Sequence, residues 1–279
     1  MIVIRTPEEM RAWAFEQRGA GRSIGFAPTM GALHAGHVSL LEAARAQNDL
    51  AVTSIFVNPT QFAPHEDFDA YPRTWETDSA KAEAAGMDVI FAPTASSMYP
   101  DGYSTYVTVE GVSEGLCSKS RPHFFRGVAT VCTKLFNAVL PTRAYFGQKD
   151  AQQCAVIKRL VRDLGLGIEI VEMPIAREDD GLAMSSRNAY LQNGERERAQ
   201  CLSKALREAE ALMRDGERDT ARLTAAVRGS LTGADTIDYV ELVDAESMQP
   251  VDAIAGPVTL AVAAYVGKTR LLDNIKFIP

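Results

Sequence analysis

Cysteine is scarce in this sequence, and the four cysteines are scattered along it. Cys117, Cys132, Cys154 and Cys201 form no CxxC pair and have no spacing typical of zinc ligands. This pattern argues against both a disulfide framework and a structural zinc site. We therefore expect reduced thiols in a cytoplasmic protein.

Long apolar runs and an excess of basic residues are also lacking. No segment approaches the roughly 20 consecutive apolar residues of a membrane-spanning helix, and the N-terminal residues lack the apolar core of a signal peptide. The formal net charge is −7 and the pI is about 5.2, which argues against a nucleic-acid-binding surface. We expect neither a membrane partner nor a nucleic-acid partner.

What the sequence does contain, up to about residue 175, is an alternation of strand-like and helix-like segments. The pattern predicts strands at 23–29, 51–57, 88–93, 144–147 and 168–174, helices at 37–47, 76–85, 128–140 and 152–163, and a hairpin at 103–111. Repeated βαβ units imply a parallel sheet. The predicted fold class is α/β, with a Rossmann-like parallel sheet and helices on both faces over residues 1–176.

The pattern changes after residue 176. A polar loop at 177–188 precedes one long predicted helix at 195–215, a second helix at 220–231, and strands at 236–243 and 258–266. We therefore predict a smaller α+β domain over residues 177–279. Because the loop joins the two domains and contains Gly181 beside two aspartates, we expect this second domain to act as a lid over a bound ligand.

Two of the four histidines lie in residues 28–37, PTMGALHAGH, where a predicted strand passes into a helix. In an open α/β sheet, ligands bind beyond the carboxyl ends of the strands. Gly31 permits a tight backbone path there, and the helix N-terminus attracts an anion. A single histidine could cap the helix or pack under the loop, but the pair of His34 and His37 favours a phosphate site.

Neutral amides follow the next strand, in FVNPTQF at residues 56–62. Asn58 and Gln61 can orient a hydroxyl or a carboxylate without adding charge. The Asn-Pro pair is also typical of a simple turn. This segment taken alone therefore leaves a binding site and a turn equally open.

A third segment, FGQKDAQQ at residues 146–153, again joins a strand to a helix. Lys149 near the helix N-terminus opposes the helix dipole unless an anion is bound, which favours a phosphate-binding lysine over a surface pair with Asp150. In the loop 177–188, Ser185, Ser186 and Arg187 place two hydroxyls beside a guanidinium, a combination suited to phosphate oxygens. Helix capping by the two serines is an equally open alternative.

The segments HAGH (34–37) and MSSR (184–187) resemble the HIGH and KMSKS signatures of the class I aminoacyl-tRNA synthetase and nucleotidyltransferase superfamily. HxGH alone is a weak signal. Together with FVNPTQF, AYPRT, MYPDG, SRPHFFRGV and FGQKDAQQ in this order, the chain resembles the pantoate–β-alanine ligase (pantothenate synthetase) family over about residues 25–191.

The resemblance implies an ATP-dependent amide ligase. Pantoate's carboxylate attacks the α-phosphate of ATP to give pantoyl adenylate and pyrophosphate, and the amine of β-alanine then releases pantothenate and AMP. ATP is thus a co-substrate, with Mg²⁺ on its phosphates. The resemblance also implies a homodimer, although the sequence does not indicate which surface would form it.

Residue roles follow from matching motif positions. The resemblance implies an ATP phosphate site lined by Met30, Gly31, Ala32, Leu33, His34, Ala35, Gly36 and His37, with His37 as proton donor. It implies further ATP contacts from Gly147, Gln148, Lys149, Asp150, Ala176, Met184, Ser185, Ser186 and Arg187, and contacts with pantoate or β-alanine from Asn58, Gln61 and Gln153. The implied catalytic set is His34, His37, Lys149, Ser185, Ser186 and Arg187, and no residue is predicted to bind a metal.

The sequence departs from the family pattern at two places. Phe124 occupies the usual histidine position of the motif at 120–128, so the role of that histidine is not transferred to His123. The acidic cluster after YPRT is reduced to Glu76 and Asp78, so we expect magnesium to arrive with ATP rather than on protein side chains.

Two other functional classes share parts of these motifs. A nucleotidyltransferase that stops at an adenylylated product would also use HxGH and MSSR-like segments, but FVNPTQF and FGQKDAQQ argue against it. An RNA-binding module related to the synthetases would need the basic stripe that this acidic sequence lacks.

Overall fold

The computed structural model describes residues 1–63, 66 and 68–279, and the chain divides into two compact units. The first unit comprises Met1–Val109, Arg121–Gly147 and Val156–Met173. The second comprises Glu110–Ser120, Gln148–Ala155 and Pro174–Pro279. The predicted boundary at residue 176 is close to the start of the longest segment of the second unit, which also includes two earlier segments of the chain.

A six-stranded parallel sheet forms the centre of the first unit. Its strands are β1 (Ile2–Ile4), β2 (Ile24–Thr29), β3 (Leu50–Ile55), β4 (Val89–Phe91), β5 (Arg143–Gly147) and β6 (Glu169–Met173). They lie in the order β1-β4-β3-β2-β5-β6, and each neighbouring pair is parallel. The strand order reverses between the neighbouring strands β2 and β5, and open α/β sheets bind ligands at such a point.

Ten helices connect or flank the strands along the described residues. They are α1 (Pro7–Gly19), α2 (Ala35–Ala46), α3 (Trp75–Ala84), α4 (Ala95–Met98), α5 (Cys117–Ser120), α6 (Phe124–Val139), α7 (Ala151–Asp163), α8 (Glu195–Ala199), α9 (Cys201–Arg214) and α10 (Thr220–Ser230). Three short 3₁₀ turns cover Pro59–Gln61, Gln148–Asp150 and Ser186–Tyr190.

Helices cover both faces of the parallel sheet. Neighbouring residues of β2 point to opposite faces. Phe26 packs edge-on against Phe136 of α6 with ring centroids 6.4 Å apart, whereas Ala27 lies in a buried cluster with Leu40 and Leu41 of α2. The predicted α/β fold class with helices on both faces is therefore confirmed.

The second unit contains a three-stranded antiparallel sheet of β7 (Thr236–Asp244), β8 (Val258–Val266) and β9 (Thr269–Phe277), in that order. Its core joins apolar side chains of the helices to those of the sheet, including Leu202 and Leu206 of α9, Leu223 of α10, and Leu260 and Val262 of β8. This arrangement is the predicted smaller α+β fold.

Several local predictions need correction. The hairpin predicted at 103–111 is wrong, because this segment forms no strand and its polar groups and rings pack on α6 instead. The Val107 N–H donates to Thr130 Oγ1 at 3.0 Å, and the Arg126 guanidinium lies 3.9 Å from the centroid of Tyr106. The alternation of residue types there thus serves packing against a helix.

The single long helix predicted at 195–215 is two helices, separated at Gln200, whose ψ of −18° is shallower than that of an α-helix. The elements β1, α1 and β9 were not predicted. A start signal for α1 is nevertheless present, because Thr6 caps the helix by accepting the Glu9 N–H at 3.3 Å and Pro7 occupies its first turn. Along the described residues, no helix has the length and apolar character needed to cross a bilayer.

Candidate active site

The loop between β2 and α2 holds two residues in a left-handed backbone conformation. Gly31 has φ +84° and Ala32 has φ +51°. For a residue with a side chain this conformation costs roughly 1–2 kcal/mol, so the loop must be held by other contacts. Such strained positions are found most often at functional sites.

Asp78 of α3 supplies those contacts. Its side chain is buried, at 1% exposure. The Ala32 N–H donates to Asp78 Oδ2 at 2.9 Å, and the Leu33 N–H donates to Asp78 Oδ1 at 2.7 Å. Thr74 Oγ1 donates to Oδ2 at 3.0 Å, and Lys81 Nζ donates to the Leu33 carbonyl. The carboxylate therefore fixes the backbone just before the two histidines.

We expect Asp78→Asn to reduce the free energy of unfolding by about 1.5–3 kcal/mol, the usual range for hydrogen bonds to a charged group. An amide can accept from one of the two N–H groups but turns an N–H of its own towards the other. The change should appear as a lower midpoint in urea denaturation, together with slower adenylate formation. The control is Glu76→Gln on the same helix, where the side chain is exposed. An equal shift in both variants would contradict this role for Asp78.

The two histidines stack on one another at the start of α2. Their ring centroids are 4.0 Å apart with an interplanar angle of 29°. His34 occupies the N-cap position, and its backbone N–H donates to His37 Nδ1 at 3.4 Å. Since Nδ1 accepts, the proton of a neutral His37 ring resides on Nε2. His34 can therefore cap α2 while His37 keeps its Nε2 proton for a ligand, so helix capping and ligand binding are compatible.

Gln61 lies in the 3₁₀ turn that follows β3, in the same unit as the histidines. Its Nε2 donates to Met30 Sδ at 2.9 Å, so two residues assigned to different substrates are in contact. Its backbone carbonyl accepts from Arg121 Nη2 at 3.2 Å. The Arg121 guanidinium lies 3.9 Å from the ring centroid of Phe124, the residue at the usual histidine position of its motif.

Gly127 of α6 allows the helix to approach this turn. A Cβ at position 127 would lie 2.4 Å from the Thr60 carbonyl oxygen and 2.7 Å from Gln61 Cα. These are backbone atoms, so any side chain at 127 would displace the turn. The glycine is therefore required by packing against the Gln61 segment.

Lys149 belongs to the second unit and lies in the 3₁₀ turn before α7. Asn274 of β9, which is buried at 2% exposure, donates from Nδ2 to the Gln148 carbonyl at 3.0 Å and to the Lys149 carbonyl at 2.9 Å. Gln148 Nε2 in turn donates to Asn274 Oδ1 at 3.3 Å. One buried amide thus fixes the backbone on which Lys149 sits.

The loop carrying the MSSR motif is held at its base. Arg177 makes two bonds to Asp273 of β9, at 2.6 and 3.0 Å, and the Met184 N–H donates to the Ala176 carbonyl at 2.9 Å. Ser185 Oγ accepts the Arg187 N–H at 3.3 Å. The capping alternative for Ser185 is therefore observed, and it places Ser186 and Arg187 at the start of a 3₁₀ turn.

Two adjacent glutamines at the start of α7 have different surroundings. Gln152 is buried. It accepts the N–H of Cys117, the first residue of α5, at 3.1 Å and donates to the carbonyl of Glu114, in the loop before α5, at 2.9 Å. Gln153 is half-buried. Gln152 thus has a structural role, and Gln153 is the glutamine that the resemblance assigns to substrate.

The predicted site residues therefore fall into two groups, one in each unit. The first unit holds Met30, Gly31, Ala32, Leu33, His34, Ala35, Gly36, His37, Asn58, Gln61 and Gly147. The second holds Gln148, Lys149, Asp150, Gln153, Ala176, Met184, Ser185, Ser186 and Arg187. Sequence reasoning missed several buried or half-buried residues that hold these segments in place: Asp78, Arg121, Gly127, Asp273 and Asn274.

Among residues 1–63, 66 and 68–279, no three histidine, cysteine or acidic side chains come together as metal ligands would. Asp78, the buried acidic residue nearest the histidine loop in sequence, uses both oxygens for backbone N–H groups. The expectation that magnesium arrives with ATP stays a prediction.

Comparisons with known proteins identify the family of this chain. The family described as pantoate-beta-alanine ligase matches residues 2–276. The chain is 56% identical to the pantothenate synthetase of Acetivibrio thermocellus, over 99% of each chain. Its structure matches that of pantothenate synthetase from Thermus thermophilus with a TM-score of 0.93, at 41% identity and covering 100% of each chain.

A pantoate-beta-alanine ligase from Francisella tularensis, solved in complex with beta-gamma ATP and beta-alanine, matches with a TM-score of 0.77 at 32% identity, covering 99% of this chain and 97% of that one. The match to the family extends over nearly the whole chain, and the fold matches that of solved members. This chain belongs to the pantoate–β-alanine ligase family.

Proposed function

We propose that this chain condenses (R)-pantoate with β-alanine to give pantothenate, using ATP and releasing AMP and pyrophosphate. The observation that carries the proposal is family membership over residues 2–276. The Francisella relative's complex with an ATP compound and β-alanine supports ATP and β-alanine as ligands. Residue roles are assigned on this basis.

In the first step, a carboxylate oxygen of pantoate bonds to the α-phosphorus of ATP and the bond from that phosphorus to the bridging oxygen breaks, releasing pyrophosphate. The reaction needs no enzyme nucleophile, because pantoate supplies its own. The difficulty is to stabilise negative charge on the phosphates, which oriented donors do well. The N-terminus of α2 presents backbone N–H groups and a positive dipole end.

His37 is assigned as the side-chain donor of this site. Its acceptor contact at Nδ1 places the proton of the neutral ring on Nε2, from which it donates to a phosphate oxygen. The stacked His34 ring fixes the plane of His37. The strained turn held by Asp78 sets the position of both rings before substrate arrives.

In the second unit, Lys149, Ser185, Ser186 and Arg187 are assigned to the nucleotide and its phosphates. Lys149 supplies a cation from a backbone fixed by Asn274. The serine hydroxyls and the arginine guanidinium donate hydrogen bonds to phosphate oxygens, which arginine can bind bidentately. Holding both substrates in line supplies much of the remaining rate enhancement.

In the second step, the amine of β-alanine attacks the acyl carbon of pantoyl adenylate, an amide bond forms, and AMP leaves as the acyl–phosphate bond breaks. Gln61 and Gln153 are assigned to hold pantoate during both steps. Magnesium is proposed to arrive bound to ATP, where it neutralises phosphate charge. The chain's own residues bind and orient the two substrates.

We also infer a homodimer and a cytoplasmic location. The dimer rests on the resemblance to the family. Sedimentation equilibrium tests it, because a dimer differs twofold in mass from the 30.3-kDa chain. A species with the mass of one chain at micromolar concentration would refute it.

A product assay tests the proposed function. Purified protein with pantoate, β-alanine and ATP should produce AMP, pyrophosphate and pantothenate in equal amounts, and omission of pantoate should abolish pyrophosphate release. Formation of ADP and phosphate would rule out the adenylate route. Release of pyrophosphate without pantothenate, independent of β-alanine, would instead favour a nucleotidyltransferase.

A further inference from the structure

Asn58 is buried at 1% exposure, and its surroundings determine which way its amide points. Asn58 Nδ2 lies 3.2 Å from the Gly127 carbonyl oxygen. A backbone carbonyl can only accept a hydrogen bond, so the nitrogen of the amide must face it. The Asn58 oxygen therefore faces the opposite side.

Tyr99 meets the Asn58 oxygen. Its hydroxyl donates to Asn58 Oδ1 at 2.7 Å, and Thr60 Oγ1 donates to the same oxygen at 3.0 Å. Burial raises the pKa of Tyr99 to about 12, so the hydroxyl keeps its proton at any pH at which the protein works. Tyr99 is thus a permanent donor, and with Gly127 it fixes the Asn58 amide from both ends.

The second amide hydrogen of Asn58 determines the orientation of Gln61. Asn58 Nδ2 donates to Gln61 Oε1 at 3.1 Å. With its oxygen occupied in this way, Gln61 turns Nε2 towards Met30 Sδ, 2.9 Å away. A thioether is a weak acceptor, so a carboxylate or hydroxyl of a substrate would replace it readily.

This contact pattern leaves Asn58 itself without a hydrogen for substrate, since its amide nitrogen already donates to Gly127 and Gln61. Asn58 therefore contributes to substrate binding by orienting the Gln61 side chain. Were the Gln61 amide rotated by half a turn, it would present an oxygen rather than a nitrogen, and that oxygen would repel the carboxylate of pantoate. The direction of one amide therefore matters for capture of the substrate.

We propose that Tyr99 is a positioning residue for the pantoate site, acting through Asn58 to keep the donor end of Gln61 directed at substrate. The proposal rests on the proposed function, because it takes pantoate to be the ligand of Gln61. In this proposal Tyr99 acts on pantoate only through Asn58 and Gln61.

The test is Tyr99→Phe, which removes the hydroxyl and keeps the ring. Pantoate-dependent pyrophosphate release should show a KM for pantoate raised about three- to tenfold, the usual effect of losing one neutral hydrogen bond, with the KM for ATP unchanged. The matched control is Tyr103→Phe, whose ring packs edge-on against Tyr99 at 5.0 Å. That variant should match the wild type in both KM values.

A double-mutant cycle separates positioning from general support of the fold. If Tyr99 acts through Gln61, Tyr99→Phe should change the KM for pantoate by less than about twofold when Gln61→Ala is already present. A full effect in that background, or an equal rise in the KM for ATP, would overturn the positioning role. So would an unchanged KM for pantoate in Tyr99→Phe itself.

Direct binding of pantoate, measured by calorimetry on the wild type and on Tyr99→Phe, distinguishes failure of this proposal from failure of the proposed function. Weaker binding in the variant supports positioning. Equal binding overturns the positioning role alone, while absence of pantoate binding and of AMP formation in the wild type would overturn both proposals.

Discussion

Replacing His37 or Lys149 with alanine is expected to lower the rate of pantoate-dependent pyrophosphate release by about 10²–10³-fold, the typical cost of removing one preorganised donor of charge stabilisation. The His37 variant lacks the Nε2 donor. The Lys149 variant lacks the cation that is carried on a backbone fixed by Asn274. Both side chains are only half-buried. We therefore expect the melting temperatures to stay close to that of the wild type.

Each substitution has a control of the same residue type. His123 is exposed at the N-cap of α6, and Lys158 of α7 forms a surface ion pair with Glu172 at 2.6 Å. His123→Ala and Lys158→Ala should retain near-normal rates. Near-normal turnover in His37→Ala or Lys149→Ala, with normal melting, would show that the phosphate site has been assigned to the wrong residues.

The second large effect concerns the ion pair between Arg177 and Asp273. The Asp273 side chain is 2% exposed and that of Arg177 is 29% exposed. Arg177→Ala leaves a buried carboxylate without its partner, and breaking such a pair costs about 3–5 kcal/mol. Urea denaturation should show a loss of this size in the free energy of unfolding. The Asn274 N–H, which Asp273 also accepts at 2.8 Å, stays in the variant but supplies no compensating charge.

A more exposed ion pair of similar length provides the comparison. Arg143 and Glu169 approach to 2.7 Å, but their side chains are 33% and 61% exposed. Arg143→Ala should cost no more than about 1 kcal/mol. Equal losses for the two arginine variants would mean that burial of Asp273 does not control the energy of its pair. Asp273→Ala combined with Arg177→Ala should recover part of the loss.

The sequence predicted the sheet and the motif loops well, because both rest on local signals. The apolar segment at 51–57 contains most of β3, and the histidine pair follows the end of β2. Periodicity and glycine placement are enough to find both. The family resemblance based on these motifs is confirmed by the match over residues 2–276. The roles assigned to single residues and the lid role of the second domain stay predictions.

The residues that hold the site in shape were harder to predict, because their partners are distant in sequence. Asp78 bonds to a loop more than forty residues earlier, and Asn274 bonds to a turn that precedes it by more than a hundred. A signal for the second case was present, since adjacent Asp273 and Asn274 interrupt an apolar strand. Neighbouring strand residues point to opposite faces of the sheet. Two adjacent polar side chains in a strand of a small domain are therefore candidates for burial with hydrogen-bond partners.

The close approach of Gly127 to the Gln61 turn determines which positions of the proposed pantoate site can be substituted to change the substrate range. Any larger residue at 127 would clash with backbone atoms, the nearest at 2.4 Å. Variants at this position should therefore lose binding of pantoate without gaining binding of another acid. Met30, in contrast, contacts the side-chain amide of Gln61 through a flexible thioether side chain. A library of variants at Met30 that keeps Gly127 should therefore include more enzymes that adenylate alternative acids than a library of variants at Gly127 that keeps Met30.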